Sequence, residues 1–577
     1  MCGIFVVIPK KNTVNLEKAK ESLIKLKNRG PDYTFYKIIK NVFFGQTILS
    51  MSGKFKKNII DNFSNSNNFF ILYNGEIYNY KDLAKTYLNK NHKIISDTQV
   101  LVNLFEKYSS ETIHKYLDGM YAYVLYDRKK NKILVSRDPQ GEKSLYKYED
   151  SKQIILSSEI NPILHYVEEK ELNFNILKTY FLSRHFIQFD KTIYKNIQNL
   201  EPGQLIEINL KNHKIKKLSS FSISSLINKD LYNKNLLKKE EELLEELDFL
   251  FKKNIKEMIP EKRNFTSIVS GGIDSTLISH YLDQYSSPKK FLSLNHLGKD
   301  YISNKINLFD KYFSKKITSI EVNKFDYFKY LNESSTICSS PINSHDFVGK
   351  LILAKKTKEI NCKAIFGGDG ADEYFGGYET YNQKIFNNNN YSNYTKILHN
   401  KYLVNNKEII YFKKKMKQKW IECKKSYAFI SNISERIKLS MMLIDSVVQL
   451  PSVGLRGTDL MSMSQSIEPR SLFLRKDLIT FALNLPIKFK IMNKKNKITN
   501  KYLLKKLFEK KFNKNLIFKK QGFSGFPNEI KKFLPPKKNF LIKRYDKSLN
   551  KMLLSKIEKP LEWKVLNTEF FLRTKVK

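Results

Sequence analysis

The segment FTSIVSGGIDS, residues 265–275, decides how the C-terminal half of this chain folds. Its first part, 265–269, is a short apolar run typical of a buried strand, and the following run 273–285 has helical periodicity. The glycines between them permit a tight turn whose backbone amides point at an anion on the helix N-terminus. The segment therefore predicts a strand, a phosphate-binding turn and a helix.

The sequence of the turn indicates which phosphate groups of a nucleotide it could bind. It lacks the Gly-Lys-Ser/Thr of the Walker loop, so it offers no clamp for a γ-phosphate. It resembles instead the pyrophosphate loop of enzymes that split ATP into AMP and pyrophosphate, in which Asp274 would hold Mg²⁺ and Ser275 would contact phosphate. A glycine turn without a ligand is the alternative for this motif taken alone.

A second cluster of glycines and carboxylates, residues 366–373, also follows a strand-like run, 364–366. Because the carboxyl ends of parallel strands meet at one crevice, we expect Asp274 and Asp372 to lie close together. They could then share the Mg²⁺ that neutralises pyrophosphate as it leaves. Two solvated loops are the alternative if each cluster is considered separately.

The N-terminus carries a candidate nucleophile. Removal of Met1 would leave Cys2 with both a thiol and a free α-amino group. An α-amine has a pKa of about 7.7–8.0, so near neutral pH it can accept the thiol proton, and the thiolate is the reactive form of cysteine. The alternative is a cysteine that follows the start codon by accident.

Composition bounds the class of protein. A chain of 577 residues is too long for one core, so two or more domains are expected. The 102 Lys and Arg residues exceed the 57 Asp and Glu residues, and the charge of +45 alone would suggest a nucleic-acid or membrane partner. The excess is mostly Lys, spread along the chain beside Asn, Ile, Tyr and Phe, as an AT-rich genome encodes. We therefore expect no specific nucleic-acid partner.

Cysteines and apolar runs indicate the compartment. Cys2, Cys338, Cys362 and Cys423 are far apart and lack metal-ligand spacing, which fits a reducing environment. The apolar run 3–8 is short and is followed by lysines, and nothing later reaches about 18 unbroken apolar residues. The sequence therefore predicts a cytoplasmic protein without a membrane span.

Hydrophobic patterning divides the chain into segments. Residues 1–210 alternate short apolar runs with helical stretches, which predicts a sheet sandwich with helices packed on it. Residues 211–238 are rich in Lys, Ser and Asn and are predicted to be a linker, whereas strand-like and helical runs alternate over 239–577, as in a parallel sheet wrapped by helices. The Asn-rich stretch 387–406 is predicted to be a surface insertion. The strand-like runs of the first segment are 3–8, 42–46, 69–73, 122–126, 133–136, 154–157 and 204–208, and its helical stretches are 16–26 and 98–108.

A series of motifs stands in the order seen in glutamine-dependent asparagine synthetases, and the chain resembles that family over nearly its whole length. The resemblance implies an α/β fold of two domains. The first, 1–210, is an N-terminal-nucleophile αββα sandwich with type 2 glutamine amidotransferase activity, and the second, 239–577, is a parallel-sheet ATP-pyrophosphatase domain. The motifs are Met1-Cys2-Gly3-Ile4, Arg29-Gly30-Pro31-Asp32, Asn74-Gly75-Glu76-Ile77-Tyr78-Asn79, Ser96-Asp97-Thr98, Asp118-Gly119-Met120-Tyr121-Ala122, Arg137-Asp138-Pro139, Ser158-Glu159, the pyrophosphate loop and Gly368-Asp369-Gly370-Ala371-Asp372-Glu373.

The resemblance implies roles in the N-terminal half. The Cys2 thiolate would attack the side-chain amide of glutamine, while the Asn74 side chain and the Gly75 backbone N–H stabilise the oxyanion. Glu76 and Asp97 would bind glutamine, Asp97 by pairing with its α-ammonium group. The released ammonia would need an internal tunnel to the second site, since bulk water would protonate it.

The resemblance also implies roles in the C-terminal half. ATP with Mg²⁺ would adenylate a carboxylate, in the family that of aspartate, and ammonia would then attack the acyl-adenylate. Lys501 would steady the developing charge, although a solvated lysine is its alternative; Asp369 would lie near the reacting carboxylate, and Glu468 aligns with a family glutamate. The residues expected to bind ATP and pyrophosphate are Ile268, Ser270, Gly271, Gly272, Asp274, Ser275, Leu294, Gly367 and Gly368, of which Ile268, Leu294 and Gly367 would line the adenine and ribose pocket.

At three places the sequence departs from the family pattern, so the resemblance does not determine how glutamine is bound or which acid is the acceptor. Ile48 stands where the family has the Arg that clamps the α-carboxylate of glutamine. The block 470–475 reads RSLFLR where the family has RVPFLD, and the loop 341–347 lacks the usual acidic-Pro signature. By resemblance, both of these segments lie on the side where the acceptor acid would sit.

Aspartate is therefore the first hypothesis for the acceptor. A sugar uronate in surface-polysaccharide synthesis is the alternative with the same mechanism, and an enzyme that uses only free ammonia is a second alternative, motivated by Ile48. A polyanion-binding protein built on a decayed amidotransferase is a third, which the intact Asp274 and Asp372 disfavour. The expected partners are the small molecules glutamine, ATP and aspartate or another carboxylate, and a homodimer is left open.

Overall fold

The computed structural model describes most of the chain. Met1 of the first motif and residues 387–390, 399–402 and 404 of the Asn-rich stretch lie outside the described residues. The described residues are 2–51, 66–88, 96–168, 170–187, 189–296, 306–382, 391–398, 403, 405–494, 497–518, 534–536, 539–544 and 559–575.

Two antiparallel sheets form the N-terminal half. Their strands are β1 (Cys2–Pro9), β2 (Tyr33–Ile39), β3 (Val42–Ile48), β4 (Phe69–Ile77), β5 (Gly119–Asp127), β6 (Lys132–Arg137), β7 (Tyr146–Glu149), β8 (Gln153–Ser157), β9 (Ile197–Asn199), β10 (Gln204–Asn209) and β11 (Ile215–Ser220). The first sheet has the order β2-β3-β1-β8-β7-β9 and the second the order β11-β10-β6-β5-β4.

The two sheets pack face to face, and helices cover their outer faces. Successive residues of a strand point to opposite faces, so Val6 of β1 packs between the sheets with Phe44 and Val124, whereas Phe5 and Val7 pack toward helices. Because β1 is buried on both faces, its sequence is a continuous apolar run. The predicted αββα sandwich is confirmed. Its α-helices are Leu16–Ile24, Tyr80–Tyr87, Asp97–Lys107, Ser110–His114, Ile160–Tyr166 and Phe174–Tyr180.

A parallel sheet forms the centre of the C-terminal half. Its strands are β12 (Phe265–Ile268), β13 (Lys290–His296), β14 (Ile317–Val322), β15 (Ala364–Gly367) and β16 (Glu468–Ser471), in the order β14-β13-β12-β15-β16. Every pairing in this sheet is parallel. A hairpin of β17 (Ile491–Lys494) and β18 (Lys497–Asn500) lies outside it.

Helices surround this sheet. The α-helices are Lys229–Leu237, Glu240–Met258, Ile273–Tyr285, Lys324–Cys338, Asp346–Glu359, Ala371–Phe375, Lys407–Ser426, Ile433–Ile444, Arg456–Met463, Lys476–Leu483, Ile487–Lys490, Tyr502–Lys511 and Lys559–Lys575, with a wide π-type turn over Asp445–Leu455. Short 3₁₀ turns are Ile223–Leu226, Asn307–Tyr312, Glu379–Asn382, Leu472–Leu474, Lys514–Leu516 and Leu541–Arg544.

Polar residues of β12 hold the flanking helices on both faces of the sheet. The buried Ser267 hydroxyl lies 2.7 Å from the hydroxyl of Ser279, in the helix that follows the strand. The Thr266 hydroxyl lies 3.0 Å from that of Thr357, in the helix on the opposite face. Each buried hydroxyl thus has a partner, so the strand can carry polar side chains inside the core.

The segment 211–238, predicted as a linker, is folded in part. It contributes β11, which pairs with β10, and the helix Lys229–Leu237, which begins at the side-chain cap of Asn228. β11 is an edge strand whose residues are all half-buried or exposed, so its polar composition suits its position. Composition alone therefore does not distinguish this edge strand from a linker.

The described part of the Asn-rich stretch is not a surface insertion. Tyr391, Ser392 and Thr395 are buried. The Ser392 hydroxyl donates to the Asp445 carboxylate at 2.5 Å, and the Tyr381 hydroxyl donates to the other carboxylate oxygen at 2.9 Å. The prediction is wrong here because a buried carboxylate satisfies the polar residues of the segment.

Among the described residues, we find no helix with the length and apolar character needed to cross a membrane.

Asp445→Asn should change how stability depends on pH. Burial raises the pKa of Asp445 to about 7, from an ordinary value of 3.8, despite hydrogen bonds from Ser392 and Tyr381 that favour the charged form. Its contribution to stability is therefore complete below pH 3.8 and is lost as the pH rises to 7. We expect the Tm of Asp445→Asn, relative to the unsubstituted protein, to rise between these two pH values in a thermal melt series.

Asp230→Asn, a change at an exposed residue, is the matched control. Its Tm should follow that of the unsubstituted protein at every pH. A difference between Asp445→Asn and the unsubstituted protein that does not vary with pH would contradict the prediction.

Candidate active sites

Cys2 lies beside a hydrogen-bond donor that has no partner. Cys2 is buried at the start of β1, and its backbone N–H donates to the Asn74 Oδ1 at 3.0 Å. The Asn74 side chain is fully buried, and its Nδ2 has no hydrogen-bond partner in the described part of the chain. A buried amide donor left unpaired is costly, so this nitrogen is suited to a ligand oxygen beside the thiol.

Gly75 allows the close packing that positions Asn74. Gly75 pairs with Tyr121 of β5, and a Cβ at this position would lie 2.1 Å from the Met120 carbonyl oxygen. Any side chain would force β4 away from β5 and displace the neighbouring Asn74. The glycine is therefore required by sheet geometry, whatever its role toward a ligand.

Arg29 connects the Cys2 backbone to the C-terminal half. Its Nε donates to the Cys2 carbonyl oxygen at 3.2 Å, and its Nη1 lies 3.1 Å from a Glu159 carboxylate oxygen. Its Nη2 lies 2.8 Å from Asp459, in the helix Arg456–Met463. The position of the Cys2 backbone thus depends on a buried ion pair between the two halves.

Acidic residues surround the expected glutamine pocket. Asp97 accepts hydrogen bonds from the Ile77 and Thr98 backbone N–H groups at 3.1 and 2.7 Å, which fixes its carboxylate at the start of a helix. Burial raises the pKa of Asp97 above its ordinary value, and it raises the pKa of Glu76 to about 8, although Arg470 opposes the shift at Glu76. A cationic group bound beside these carboxyl groups would oppose this shift and favour their charged form.

Glu468 lies at the interface with the N-terminal half and apart from the nucleotide loops. It is the first residue of β16 and pairs with Ala364, the first residue of β15, whereas both nucleotide loops follow the carboxyl ends of their strands. The Arg470 side chain lies 2.6 Å from Glu468 and 3.5 Å from Glu76. Burial raises the pKa of Glu468, but the charge of Arg470 outweighs it and holds the pKa below its usual value.

The loop 270–275 has the predicted strand-turn-helix geometry. Gly271 has φ of +74°, which favours glycine, and a Cβ there would meet no atom within 4 Å, so the turn faces open space. The Ser275 hydroxyl accepts from the Ser270 backbone N–H at 3.0 Å and closes the loop. The Gly272 residue caps the helix Ile273–Tyr285, whose first backbone N–H groups are available to an anion.

Lys501 joins the two carboxylate loops. Its Nζ contacts Asp274 and lies 2.6 Å from Asp372, so both carboxylates are close enough to contact a single cation. Burial lowers the pKa of Lys501, but Asp274 and Asp372 outweigh it and raise the pKa above its usual range. A Cβ at Gly377 would lie 1.8 Å from Asp372 and 2.3 Å from the Lys501 side chain, so only glycine fits against this contact.

The pair Asp274 and Asp372 suits Mg²⁺ in the presence of a nucleotide. Within the described ranges, no group of three or more His, Cys, Asp or Glu side chains converges on one point. Mg²⁺ is commonly held by one or two carboxylates together with substrate phosphates, and these two residues meet that need. The predicted convergence of the two loops is also seen at Gly368, where a Cβ would lie 3.2 Å from the Asp274 side chain.

Asp369 belongs to a neighbouring network. Its carboxylate lies 3.2 Å from the Lys350 Nζ and accepts from the Thr458 hydroxyl at 2.7 Å. Thr458 precedes Asp459, the partner of Arg29. Two adjacent residues of one helix therefore contact Asp369, beside the second glycine-carboxylate loop, and Arg29, which contacts the Cys2 backbone.

An apolar wall lies beside the nucleotide loop. Ile268, Leu294 and Ile320 are partly exposed and pack on a small buried cluster of the parallel sheet. A Cβ at Gly367 would lie 3.6 Å from Ile268, so Gly367 adjoins the same wall. Ile320 was not among the residues predicted from the sequence.

The residues that depart from the family pattern make specific contacts in the structure. Ile48 pairs with Cys2 and packs in an apolar cluster with Tyr33 and Phe35. Arg475 is buried, with its guanidinium 2.7 Å from Asp118 and 2.5 Å from Glu257. Arg475 therefore forms part of the interface between the halves. In the third departure, the loop 341–347, the Asn343 side chain donates to the Ser452 carbonyl oxygen at 2.6 Å.

Sequence reasoning missed Asp459, Lys143 and Lys350. Asp459 accepts from Ser144 and lies 3.4 Å from the Lys143 Nζ, in addition to its contact with Arg29. A charged residue within a helical run normally faces solvent, so nothing in the local pattern marks it as buried. The motif that contains Arg29 gives no sign of its partner, which lies 430 positions away in the sequence.

Two family matches divide the chain as the fold does. Residues 1–219 match the family described as glutamine amidotransferase domain, and residues 246–553, more than half of the chain, match the family described as asparagine synthase. The first match ends at β11 of the sandwich, and the second begins in the helix Glu240–Met258 that precedes the parallel sheet.

Individual proteins are also similar to this chain. The Bacillus subtilis protein named glutamine-hydrolyzing asparagine synthetase 2 is 27% identical over 66% of this chain and 52% of its own length. The putative glutamine-hydrolyzing asparagine synthetases 2 and 1 of Methanocaldococcus jannaschii are 27% and 24% identical, over 66% and 86% of this chain and 76% and 83% of their own lengths. The alignment thus spans about half the length of the first relative.

Among solved structures, the glutamine phosphoribosylpyrophosphate amidotransferase of B. subtilis matches with a TM-score of 0.27 and 15% identity, covering 46% of this chain and 60% of that chain.

Asp459→Asn should destabilise the protein and weaken the contact between its halves. The substitution leaves Arg29 and Lys143 buried at 1% side-chain exposure without their shared counter-ion. Loss of one partner of a buried ion pair costs roughly 3–5 kcal/mol, so the Tm should fall by several degrees.

Asp230→Asn is again the control for the loss of a carboxylate, and thermal melts monitored by circular dichroism provide the measurement. Surface substitutions usually change stability by less than about 0.5 kcal/mol. Equal Tm values for the two variants would show that Asp459 does not hold the halves together.

Proposed function

Because the chain belongs to the asparagine synthase family, we propose that it uses ATP and the amide nitrogen of glutamine to convert aspartate to asparagine, releasing AMP and pyrophosphate. The observation that carries this proposal is the pairing of two sites in one chain. One places a thiol beside an unpartnered amide donor, and the other places two carboxylates and a lysine at a phosphate loop. The proposal covers the substrates and products as well as the reaction.

The first site supports hydrolysis of an amide. The Cys2 thiolate would attack the side-chain carbonyl carbon of glutamine, and the Asn74 Nδ2 would donate to the oxyanion that forms. One such donor contributes on the order of 3 kcal/mol to a tetrahedral transition state. Asp97 would hold the α-ammonium group of glutamine by charge pairing, and Glu76 would contribute to binding glutamine.

The second site supports adenylation of a carboxylate. An acceptor oxygen would attack the α-phosphorus of ATP, and pyrophosphate would leave toward the loop 270–275 and Lys501. The Lys501 ammonium would stabilise the charge that develops on pyrophosphate. We propose that Asp274 and Asp372 hold Mg²⁺ with the nucleotide, which would supply further neutralisation of phosphate charge.

Transfer of nitrogen between the sites would follow the buried interface. Glu76, Arg470 and Glu468 form a continuous chain of charged side chains from the glutamine pocket to the start of β16. Ammonia passing along this interface would meet little bulk water and would stay unprotonated and nucleophilic. It would then attack the acyl carbon near Asp369 and displace AMP.

Use of free ammonia is a second candidate. Ile48 lies directly across from Cys2 in an apolar cluster, so this position supplies no charge for the α-carboxylate of glutamine. A charge-assisted hydrogen bond contributes about 1.5–3 kcal/mol, and its loss would weaken glutamine binding. In this candidate the second site is unchanged and the first is inactive.

Cys2→Ala should abolish turnover with glutamine and spare turnover with ammonium. We expect pyrophosphate release from ATP, Mg²⁺, aspartate and ammonium to stay within about twofold, because the second site is untouched. Pyrophosphate is measured with each nitrogen source and with a panel of acids that includes aspartate and sugar uronates.

Cys338→Ala, at a buried cysteine outside both sites, is the control and should retain both activities. If glutamine supports no turnover by the unsubstituted protein, the result would favour the candidate function that uses only free ammonia. No pyrophosphate release with aspartate would contradict the proposed acceptor.

Lys501→Gln should lower turnover with either nitrogen source. The variant leaves Asp274 and Asp372 close together without their shared cation and removes a positive charge from the pyrophosphate site. Loss of one electrostatic stabiliser of a transition state typically lowers kcat by about 10²–10³-fold. Single-turnover release of pyrophosphate measures the step directly.

Lys505→Gln, one turn further along the helix Tyr502–Lys511, is the matched control. It should keep the rate of the unsubstituted protein. Similar losses in the two lysine variants would argue against a specific role for Lys501.

A further inference from the structure

A cavity of about 110 Å³ lies between the two halves, away from the residues assigned to glutamine and nucleotide. Arg137, Tyr146 and Lys217 line it from the N-terminal half, and Lys419 and Arg456 line it from the C-terminal half. A water needs roughly 10–15 Å³ of such space, so the cavity has room for a small molecule. Four of these five residues are cationic.

Arg456 is buried without a carboxylate partner. It is 5% exposed; its Nε lies 3.4 Å from the Tyr146 hydroxyl, and its Nη2 donates to the Cys338 carbonyl at 3.1 Å and the Ser340 hydroxyl at 3.0 Å. Its Nη1 has no hydrogen-bond partner in the described part of the chain. All of these partners are uncharged, so the guanidinium keeps its full positive charge and two unused N–H groups.

Arg137 has a similar environment on the other side of the cavity. It is 2% exposed and donates to the carbonyl oxygens of Leu200 at 2.8 Å and Gly141 at 2.6 Å, and to the Asn199 side chain at 3.2 Å. Burial lowers the pKa of Arg137, and the negative charge of the adjacent Asp138 raises it less strongly. The Asp138 carboxylate itself accepts hydrogen bonds from the backbone N–H groups of residues 142 and 143.

The other buried arginines of the described chain differ from these two. Arg29, Arg470 and Arg475 each lie within 3.1 Å of at least one carboxylate oxygen. Among the described residues, no ion pair within 4.0 Å involves Arg137 or Arg456. Burial of a charge is costly unless an opposite charge accompanies it. The charges of Asp138 and Asp459 act on Arg137 although neither forms an ion pair with it, whereas no carboxylate of the described residues is among the groups that act on Arg456. Arg456 is therefore the residue of the cavity that needs an anion that the protein does not supply.

One acidic residue also lines the cavity. Glu201 lies 3.4 Å from the Nζ of Lys415, so a lysine outside the lining already neutralises its charge. Lys419 lies 3.3 Å from Glu422, and Lys217 is exposed. The lining as a whole remains positive.

We propose that this interdomain cavity is a binding site for a small oxyanion, a phosphate or carboxylate group of a free metabolite. The planar guanidinium group matches both groups through paired N–H donors, and Arg456 has such donors unused. Because the anion would contact both halves of the chain, its binding would stabilise their interface.

The test uses the full chain and two probes, inorganic phosphate and malonate, at constant ionic strength. Apparent affinity is measured by isothermal titration calorimetry, and stabilisation by the shift in Tm. We expect at least one probe to bind the unsubstituted protein and to bind Arg456→Gln at least tenfold more weakly. The probe that binds more tightly identifies the group as phosphate or carboxylate.

Arg436→Gln, a partly buried arginine that does not line the cavity, is the matched control and should keep the affinity of the unsubstituted protein. The loop 270–275 is intact in every variant, so affinity lost in Arg456→Gln belongs to the cavity. If Arg456→Gln does not fold, the double variant Lys217→Gln/Lys419→Gln, which changes more exposed cations of the lining, replaces it. The proposal is overturned if neither probe binds, or if the cavity variants bind as tightly as the unsubstituted protein.

Discussion

One buried carboxylate, Asp459, connects the two halves of the molecule and the rest of the arrangement depends on it. Burial raises the pKa of Asp459, but Arg29 and Lys143 outweigh it and hold the pKa at about 2, so the residue stays charged. Arg29 in turn contacts the backbone of Cys2, and Thr458, the residue before Asp459, contacts Asp369. A buried charge that must stay paired thus links the Cys2 backbone in one half of the chain to Asp369 in the other.

Several ion pairs connect the two halves of the chain across this interface. Arg470 contacts Glu76, and Arg475 contacts Asp118, each joining the C-terminal half to the N-terminal half. Arg475 stands where the family pattern has an aspartate, and its partner shows that this departure concerns contact between the halves. The interface therefore uses fixed charges in a chain whose surface is strongly cationic.

The sequence predicts the parts of this protein that depend on local pattern. The run 3–8 and the segment 265–275 lie where predicted because apolar periodicity and glycine turns are local properties. The convergence of Asp274 and Asp372 followed from the topology of parallel sheets, but the lysine between them comes from a distant helix start with φ of +53°. Asp459 and Lys350 were not predictable, because a buried charge is defined by partners distant in sequence. Residues 391–398 show the converse, since three residues of this polar segment, Tyr391, Ser392 and Thr395, are buried.

The four residues of β16 link the two candidate sites. Glu468 begins the strand and contacts Arg470, which in turn contacts Glu76, and Ser471 ends the strand next to Gly367. At about 3.3 Å per residue the strand spans only about 10 Å, so its pairing register with β15 fixes the positions of both of its ends. A slip of one residue would turn Glu468 and Arg470 to the opposite face and, by the same movement, misalign the other edge. The positions of the two candidate sites therefore depend on the same strand register, and a shift of this strand that moves one of them also disturbs the other.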